Sequence, residues 1–182
     1  VLPGFLDLSV LDSTDPVAVD NATGSLDPAR TLFIAATKSG GTVETLSFTK
    51  YCYGLATAAV GQQRAGHQFV AITDPGSGLA DLASELNFRH TFLNDPNIGG
   101  RYSALSFFGL LPARLAGVDI ERLLAGAGNA ARDLAQDGVG VRIGAIMGAA
   151  AVAGRDKLTF ITSPTLAPVG VWLEQLIAES TG

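Results

Sequence analysis

Thiols and imidazoles are scarce in this chain: Cys52 is the single cysteine in 182 residues, and His67 and His90 are the only histidines. One thiol excludes an internal disulfide and suits a reducing, cytoplasmic setting. Cys52 falls in the middle of a helical pattern with no histidine nearby, so it reads as a small buried hydrophobe rather than a reactive thiol. His67 opens one strand pattern and His90 another, and both read as structural. No group of His, Cys and Asp has metal-ligand spacing, so neither a metal nor a cofactor is expected. Charge is sparse as well. Charged residues make up 16% of the chain, with a formal net charge of −5. A broad basic surface is therefore missing, which argues against nucleic acid as a partner. The stretch 143–153 is apolar but far short of the roughly 20 residues of a membrane span. No leader pattern marks residues 1–8. The chain begins without Met and ends at Gly182 inside a polar motif, so both ends are expected to be cut.

What is plentiful is apolar surface and glycine: 47% hydrophobic residues and 22 glycines. That composition belongs to a well-buried globular chain. Short β-branched and aromatic runs predict strands near 8–11, 31–36, 68–73, 90–93 and 157–162. Helical patterns lie between and after them, near 17–22, 42–65, 78–86, 103–115, 120–136, 142–153 and 170–180. Such alternation implies βαβ units and a parallel sheet covered by helices on both faces, an α/β fold. Texture changes near 138–140, and the strand expected at 157 is read as opening a second α/β domain. Ligands of open parallel sheets collect at the carboxyl ends of the strands. Polar loops occupy three such ends here, at 12–15, 37–41 and 73–76.

The loop Thr37-Lys38-Ser39-Gly40-Gly41-Thr42-Val43-Glu44-Thr45 follows a buried strand and opens a long helix. Free amides at a helix start, with the positive end of its dipole, attract a dianion. Gly40 and Gly41 allow close backbone approach, and Thr37, Ser39 and Thr42 add hydroxyl donors without charge. The spacing is neither a Walker loop nor GxGxxG, which favours a small phosphorylated metabolite over a nucleotide. The simpler reading is that Thr42 and Glu44 only cap the helix.

Asn97-Ile98-Gly99-Gly100-Arg101-Tyr102-Ser103 lies between a strand and a helix, with Ser103 a candidate N-cap. A fixed guanidinium at 101 suits a developing oxyanion. The alternative is a surface arginine paired with Asp95. Near the carboxyl end, Val169, Trp172, Leu173, Leu176 and Ile177 form one apolar stripe. Gln175 and Glu179, four apart, share a face; Glu174 and Glu179, five apart, do not. The helix dipole disfavours an anion at 179, a bias suited to a proton acceptor, although Glu179 also reads as an ordinary solvated carboxylate.

These three motifs resemble, in order, those of phosphoglucose isomerases, a family with the sugar isomerase (SIS) fold. Residues 37–45 are similar to Ser-Lys-[Ser/Thr]-x-[Thr/Gly]-Thr-x-Glu-Thr, with Thr37 replacing a serine. Residues 98–103 are similar to Val-Gly-Gly-Arg-[Tyr/Phe]-Ser, after Pro96 where a small polar or acidic residue is usual. Residues 179–182 are similar to the start of Glu-Ser-[Asn/Thr]-Gly-Lys, and Gln175 matches a glutamine four residues earlier.

The resemblance implies an SIS-type three-layer αβα sandwich with a parallel sheet over 1–155 and the start of a second SIS domain over 156–182. It implies that the hydroxyls of Thr37, Ser39 and Thr42 and the amide of Lys38 hold a sugar phosphate. It further implies that Gly100 and Gln175 contact the sugar, that Arg101 steadies an enediolate and that Glu179 moves the proton between C1 and C2. The expected partners are glucose 6-phosphate and fructose 6-phosphate, in a homodimer when full length, with no metal, cofactor, nucleic acid or membrane. The family's Gly-Gly-Ser loop, ring-opening histidine and carboxyl-terminal lysine have no counterpart in the sequence. Alternatives are a dual phosphoglucose/phosphomannose isomerase, the isomerase part of a transaldolase fusion, or a non-catalytic SIS module sensing a sugar phosphate. The isomerase reading expects the hydroxyl loop, Arg101 and Glu179 to converge on one cleft.

Overall fold

The structure, a computed structural model, describes residues 3–181 and divides into two compact units, one ending at Gly117 and one beginning at Val118. Gly182 of the terminal motif lies outside the described residues.

In the first unit, strands β1 (Phe33–Ala36), β2 (Phe69–Thr73) and β3 (His90–Leu93) form a parallel sheet in the order β1-β2-β3. The register pairs Phe33 with Phe69, Ala35 with Ala71 and Ile72 with Phe92. Every residue of the central strand β2 is buried, which explains its unbroken apolar run. Side chains alternate across a strand, so Phe33, Ala35, Phe69 and Ala71 share one face. There Ala35 and Ala71 pack on Leu79 and Ala83 of α4 (Gly78–Glu85), and Phe69 packs on Cys52 and Ala56 of α2 (Val43–Val60). Phe69 anchors this layer, its ring stacked at 4.8 Å on Phe33 and 5.0 Å on Phe88. On the opposite face, Phe92 meets Phe107 of α5 (Phe107–Leu115) at 5.2 Å. Helices thus cover both faces, an SIS-like α/β sandwich.

The chain enters this unit through α1 (Pro16–Gly24), where Asp15 caps by accepting from Ala18 N at 2.9 Å and Pro16 occupies the first turn. The helix expected over 42–65 is divided: α2 stops at Gly61, whose φ of 82° cannot continue a helix, and α3 (Gln62–Ala65) follows. The second unit contains α6 (Ile120–Leu134), α7 (Val139–Val152) and α8 (Ala167–Thr181). Asp119 caps α6 by accepting from Arg122 N at 3.0 Å.

Two expected strands do not form. Residues 8–11 and 157–162 are irregular, and no ladder reaches either among the described residues. A β pattern states only a preference for extended backbone; its amides and carbonyls still need a neighbouring strand. Val10 and Ile161 are accordingly left 77% and 96% exposed. Among the described residues no helix is long and apolar enough to cross a membrane.

Cys52 is buried beside Ala56, Ala65 and Phe69, and burial pushes its thiol above the ordinary value. The thiolate is the reactive form, so iodoacetamide at neutral pH should leave Cys52 unmodified in the native chain and label it in urea. Intact-mass analysis checks this; rapid native labelling would contradict the buried assignment.

Candidate functional site

The carboxyl ends of β1, β2 and β3 carry the candidate residues of the first unit. β1 runs directly into Thr37, which is buried and whose N donates to Ile72 O at 3.1 Å, extending the ladder by one residue. The next four residues make the turn into α2. Gly40 sits at φ +69°, close above the start of α4, where a Cβ would lie 2.5 Å from Leu79 N. Ser39 Oγ accepts from Gly41 N at 3.2 Å within the turn.

Thr42 is the N-cap residue of α2, yet its side chain makes no capping bond. Its hydroxyl instead lies 3.0 Å from the Thr37 hydroxyl. The cap-only reading of Thr42 is therefore replaced by a hydroxyl pair, and the Thr42 side chain leaves the first amides of α2 uncapped. That combination, open amides at a helix start beside paired hydroxyls, is a chemically suitable seat for a phosphate ester.

Lys38 is held elsewhere. Its Nζ lies 2.8 Å from each carboxylate oxygen of Asp74 and 5.8 Å from the centre of the Phe108 ring. Its carbonyl accepts from Asp74 N and Thr73 Oγ1, both at 3.2 Å. The lysine's charge is thus neutralised by the end of β2, and its backbone orientation is set there. Thr73 is fully buried and its hydroxyl lies 2.6 Å from that of Ser77, the N-cap of α4. The loop at 73–76 attracted attention by position alone. Its part as the brace of the hydroxyl turn was not readable from sequence, because Lys38 and Asp74 are 36 residues apart.

The Gly-Gly-Arg segment differs in detail from expectation. Residues 100–105 form a 3₁₀ turn, and α5 begins only at Phe107. Ser106, not Ser103, is the N-cap, accepting from Phe108 N at 3.3 Å. Ser103 Oγ instead donates to Gly100 O at 2.6 Å, closing the tight turn that presents Arg101. Asp95 accepts from the backbone and side-chain amides of Asn97, both at 2.9 Å, and those bonds lower its carboxyl below the usual range. Gly100 approaches the aliphatic stem of Lys38: a Cβ there would lie 3.9 Å from Lys38 Cδ. With Phe108 on the same lysine, the arginine segment and the hydroxyl turn are neighbours within this unit. Arg101 is half-buried and Gly100 exposed.

In the second unit, Gln175 Nε2 donates to Glu179 Oε1 at 3.3 Å, one turn apart on α8, and both side chains are exposed. Two surface cavities, one flanked by Arg64, His67 and Arg89, lie at the opposite, amino ends of the strands and include none of these residues.

Fold and strand-end loops together define an SIS-like α/β protein, and sequence comparison places it more closely. The profile of the family described as phosphoglucose isomerase matches residues 3–166. The chain belongs to that family. It is 32% identical over 182 residues to the glucose-6-phosphate isomerase of Rubrobacter xylanophilus, covering 96% of this chain and 42% of that protein. It is 43% identical over 128 residues to the glucose-6-phosphate isomerase of Thermosynechococcus vestitus, covering 67% of this chain and 23% of that one. Among solved structures, a hypothetical protein of Thermus thermophilus is similar with a TM-score of 0.64 at 35% identity, over 68% of this chain and 29% of that chain. The chain spans about two-fifths of the length of the first two curated relatives.

Proposed function

We propose that the chain is the sugar-phosphate-binding and proton-transfer part of a glucose-6-phosphate isomerase, interconverting glucose 6-phosphate and fructose 6-phosphate through an enediol. The observation that carries this is the uncapped start of α2 with the Thr37–Thr42 hydroxyl pair, next to the segment bearing Arg101.

In this reading the phosphate is seated on the hydroxyls of Thr37, Ser39 and Thr42 and the amide of Lys38. The Asp74 salt bridge supports the use of that amide rather than the ammonium. Gly100 and Gln175 contact the sugar. Glu179 removes the C2 proton of the open-chain aldose and returns it at C1, and Arg101 balances the charge that develops on the enediolate oxygens. Anchoring a phosphate that does not react turns binding into orientation of the carbons that do. We further assign residues 1–155 to a first SIS domain and 156–182 to the start of a second, in a cytoplasmic protein that acts as a homodimer.

The direct test is a coupled assay of the full-length protein with each sugar phosphate, with mannose 6-phosphate as a third substrate. Conversion of glucose 6-phosphate supports the proposal, and added turnover of mannose 6-phosphate would widen it to a dual isomerase. Saturable phosphosugar binding without turnover would instead indicate a sensing module. A finer test is Thr42→Val, which keeps the shape and removes the hydroxyl. Losing one hydrogen bond of about 1 kcal/mol should raise KM roughly fivefold and leave kcat near its wild-type value.

A further inference from the structure

The segment 95–106 leaves β3, carries Gly100 and Arg101, and returns at the first residue of α5. Its internal bonds are local: Asp95 to Asn97, Tyr102 N to Gly99 O, Ser103 to Gly100, Ser106 to Ser103. These shape the turn. Among the described residues, Asn94 links its return to the sheet. Asn94, 6% exposed, donates its backbone N to Thr73 O at 2.9 Å and accepts from Phe107 N at its Oδ1, 3.0 Å away. Asn94 is therefore bound to the central strand through its backbone and to the head of α5 through its carboxamide. The Phe92–Phe107 ring contact adds packing there but no directionality. Among the described residues Asn94 Nδ2 finds no hydrogen-bond partner, and it is shielded from solvent. An unpaired buried donor carries a penalty of about 1–3 kcal/mol; the bond this side chain makes is as an acceptor, from Phe107 N.

We propose that Asn94 is a positioning residue for Arg101, acting by clasping the two ends of the arginine segment. The inference rests on the isomerase reading above for its kinetic readout only. A guanidinium displaced by about 1 Å from the reacting oxygens can lose on the order of 10²-fold in rate. The hydroxyl turn, braced separately by Thr73 and Asp74, is not held by this clasp.

The test compares three forms of the full chain. Asn94→Leu keeps the size and removes the acceptor. Asn94→Asp keeps the acceptor, removes the unpaired donor and places its charge at the favourable end of the α5 dipole. Expected for Asn94→Leu is a kcat lower by roughly 10- to 100-fold with KM within about threefold. Asn94→Asp should stay within about threefold of wild type in both, since either carboxylate oxygen can replace the lost carbonyl. Hydrogen exchange of the same proteins should be faster over 98–106 in the leucine variant and unchanged over 37–46. If Asn94→Leu does not fold, Asn94→Ala replaces it. An unchanged kcat in the acceptor-less variant, equal losses for Leu and Asp, or a parallel rise in KM would overturn the assignment. A full-length wild-type protein without isomerase activity would refute the function and leave the clasp to be decided by hydrogen exchange alone.

Discussion

On the proposed isomerase reading, Glu179→Gln in the full-length protein is expected to lower turnover of glucose 6-phosphate by about 10²–10⁴-fold and to leave phosphosugar binding within about threefold. The substitution preserves length and shape but replaces a carboxylate with an amide, which cannot take a proton from carbon at any accessible pH. The Gln175 amide already donates to the carboxylate at 3.3 Å, and a glutamine at 179 can accept the same bond through its carbonyl. Orientation is thereby kept while basicity is lost. Binding should persist because the proposed phosphate ligands are all on the turn at 37–42, in the other unit. Two readouts separate the roles: steady-state kcat, and exchange of the C2 proton with solvent, which should fall in proportion. A variant with near-wild-type turnover would remove Glu179 from the mechanism.

Gly40→Ala is the substitution of largest structural consequence. The αL backbone at φ +69° costs an L-residue about 1–2 kcal/mol. The added methyl also lands 2.5 Å from Leu79 N, 2.7 Å from Gly78 N and 2.9 Å from Ser77 Cβ. Those atoms begin α4 and have little room to yield: Ser77 Oγ accepts from Ala80 N at 3.1 Å and lies 2.6 Å from the buried Thr73 hydroxyl. Overpacking of this kind adds about 1–3 kcal/mol. A total near 3 kcal/mol should appear as a lower urea midpoint, and the displaced turn should bind a phosphate ester at least about tenfold more weakly. Gly24→Ala is the control, since its Cβ would meet nothing within 4 Å and its backbone needs no positive φ. Equal stability of the two variants would show that the close approach of the turn to α4 is not a constraint.

The legible parts of this chain are those whose signals are local. Alternation of short apolar runs and helical patterns announced the three strands of the sheet, and the apolar stretch through Phe69 to Thr73 announced the central one. Hydroxyls and glycines after β1 marked a strand-end turn, and Gly99-Gly100-Arg101 marked a second. Motif order along the chain led to the family. Two of the misreadings share one cause. Residues 8–11 and 157–162 have β composition, but a ladder depends on a neighbour that composition cannot supply. Ser103 is the cap expected from the sequence; the Asn94–Phe107 bond supports the start of α5 at 107, so Ser106 caps instead.

By itself, then, the sequence determined the α/β alternation, the chemistry available at each strand end and membership of the family, because these depend on residue type and spacing within a few turns of chain. Tertiary structure alone decided that Lys38 is neutralised by Asp74, that Thr42 pairs with Thr37 instead of capping, and that Asn94 closes the arginine segment. Each of those choices is a competition between hydrogen-bond partners. Its outcome depends on which groups the sheet register brings within about 3 Å, a quantity no local pattern contains.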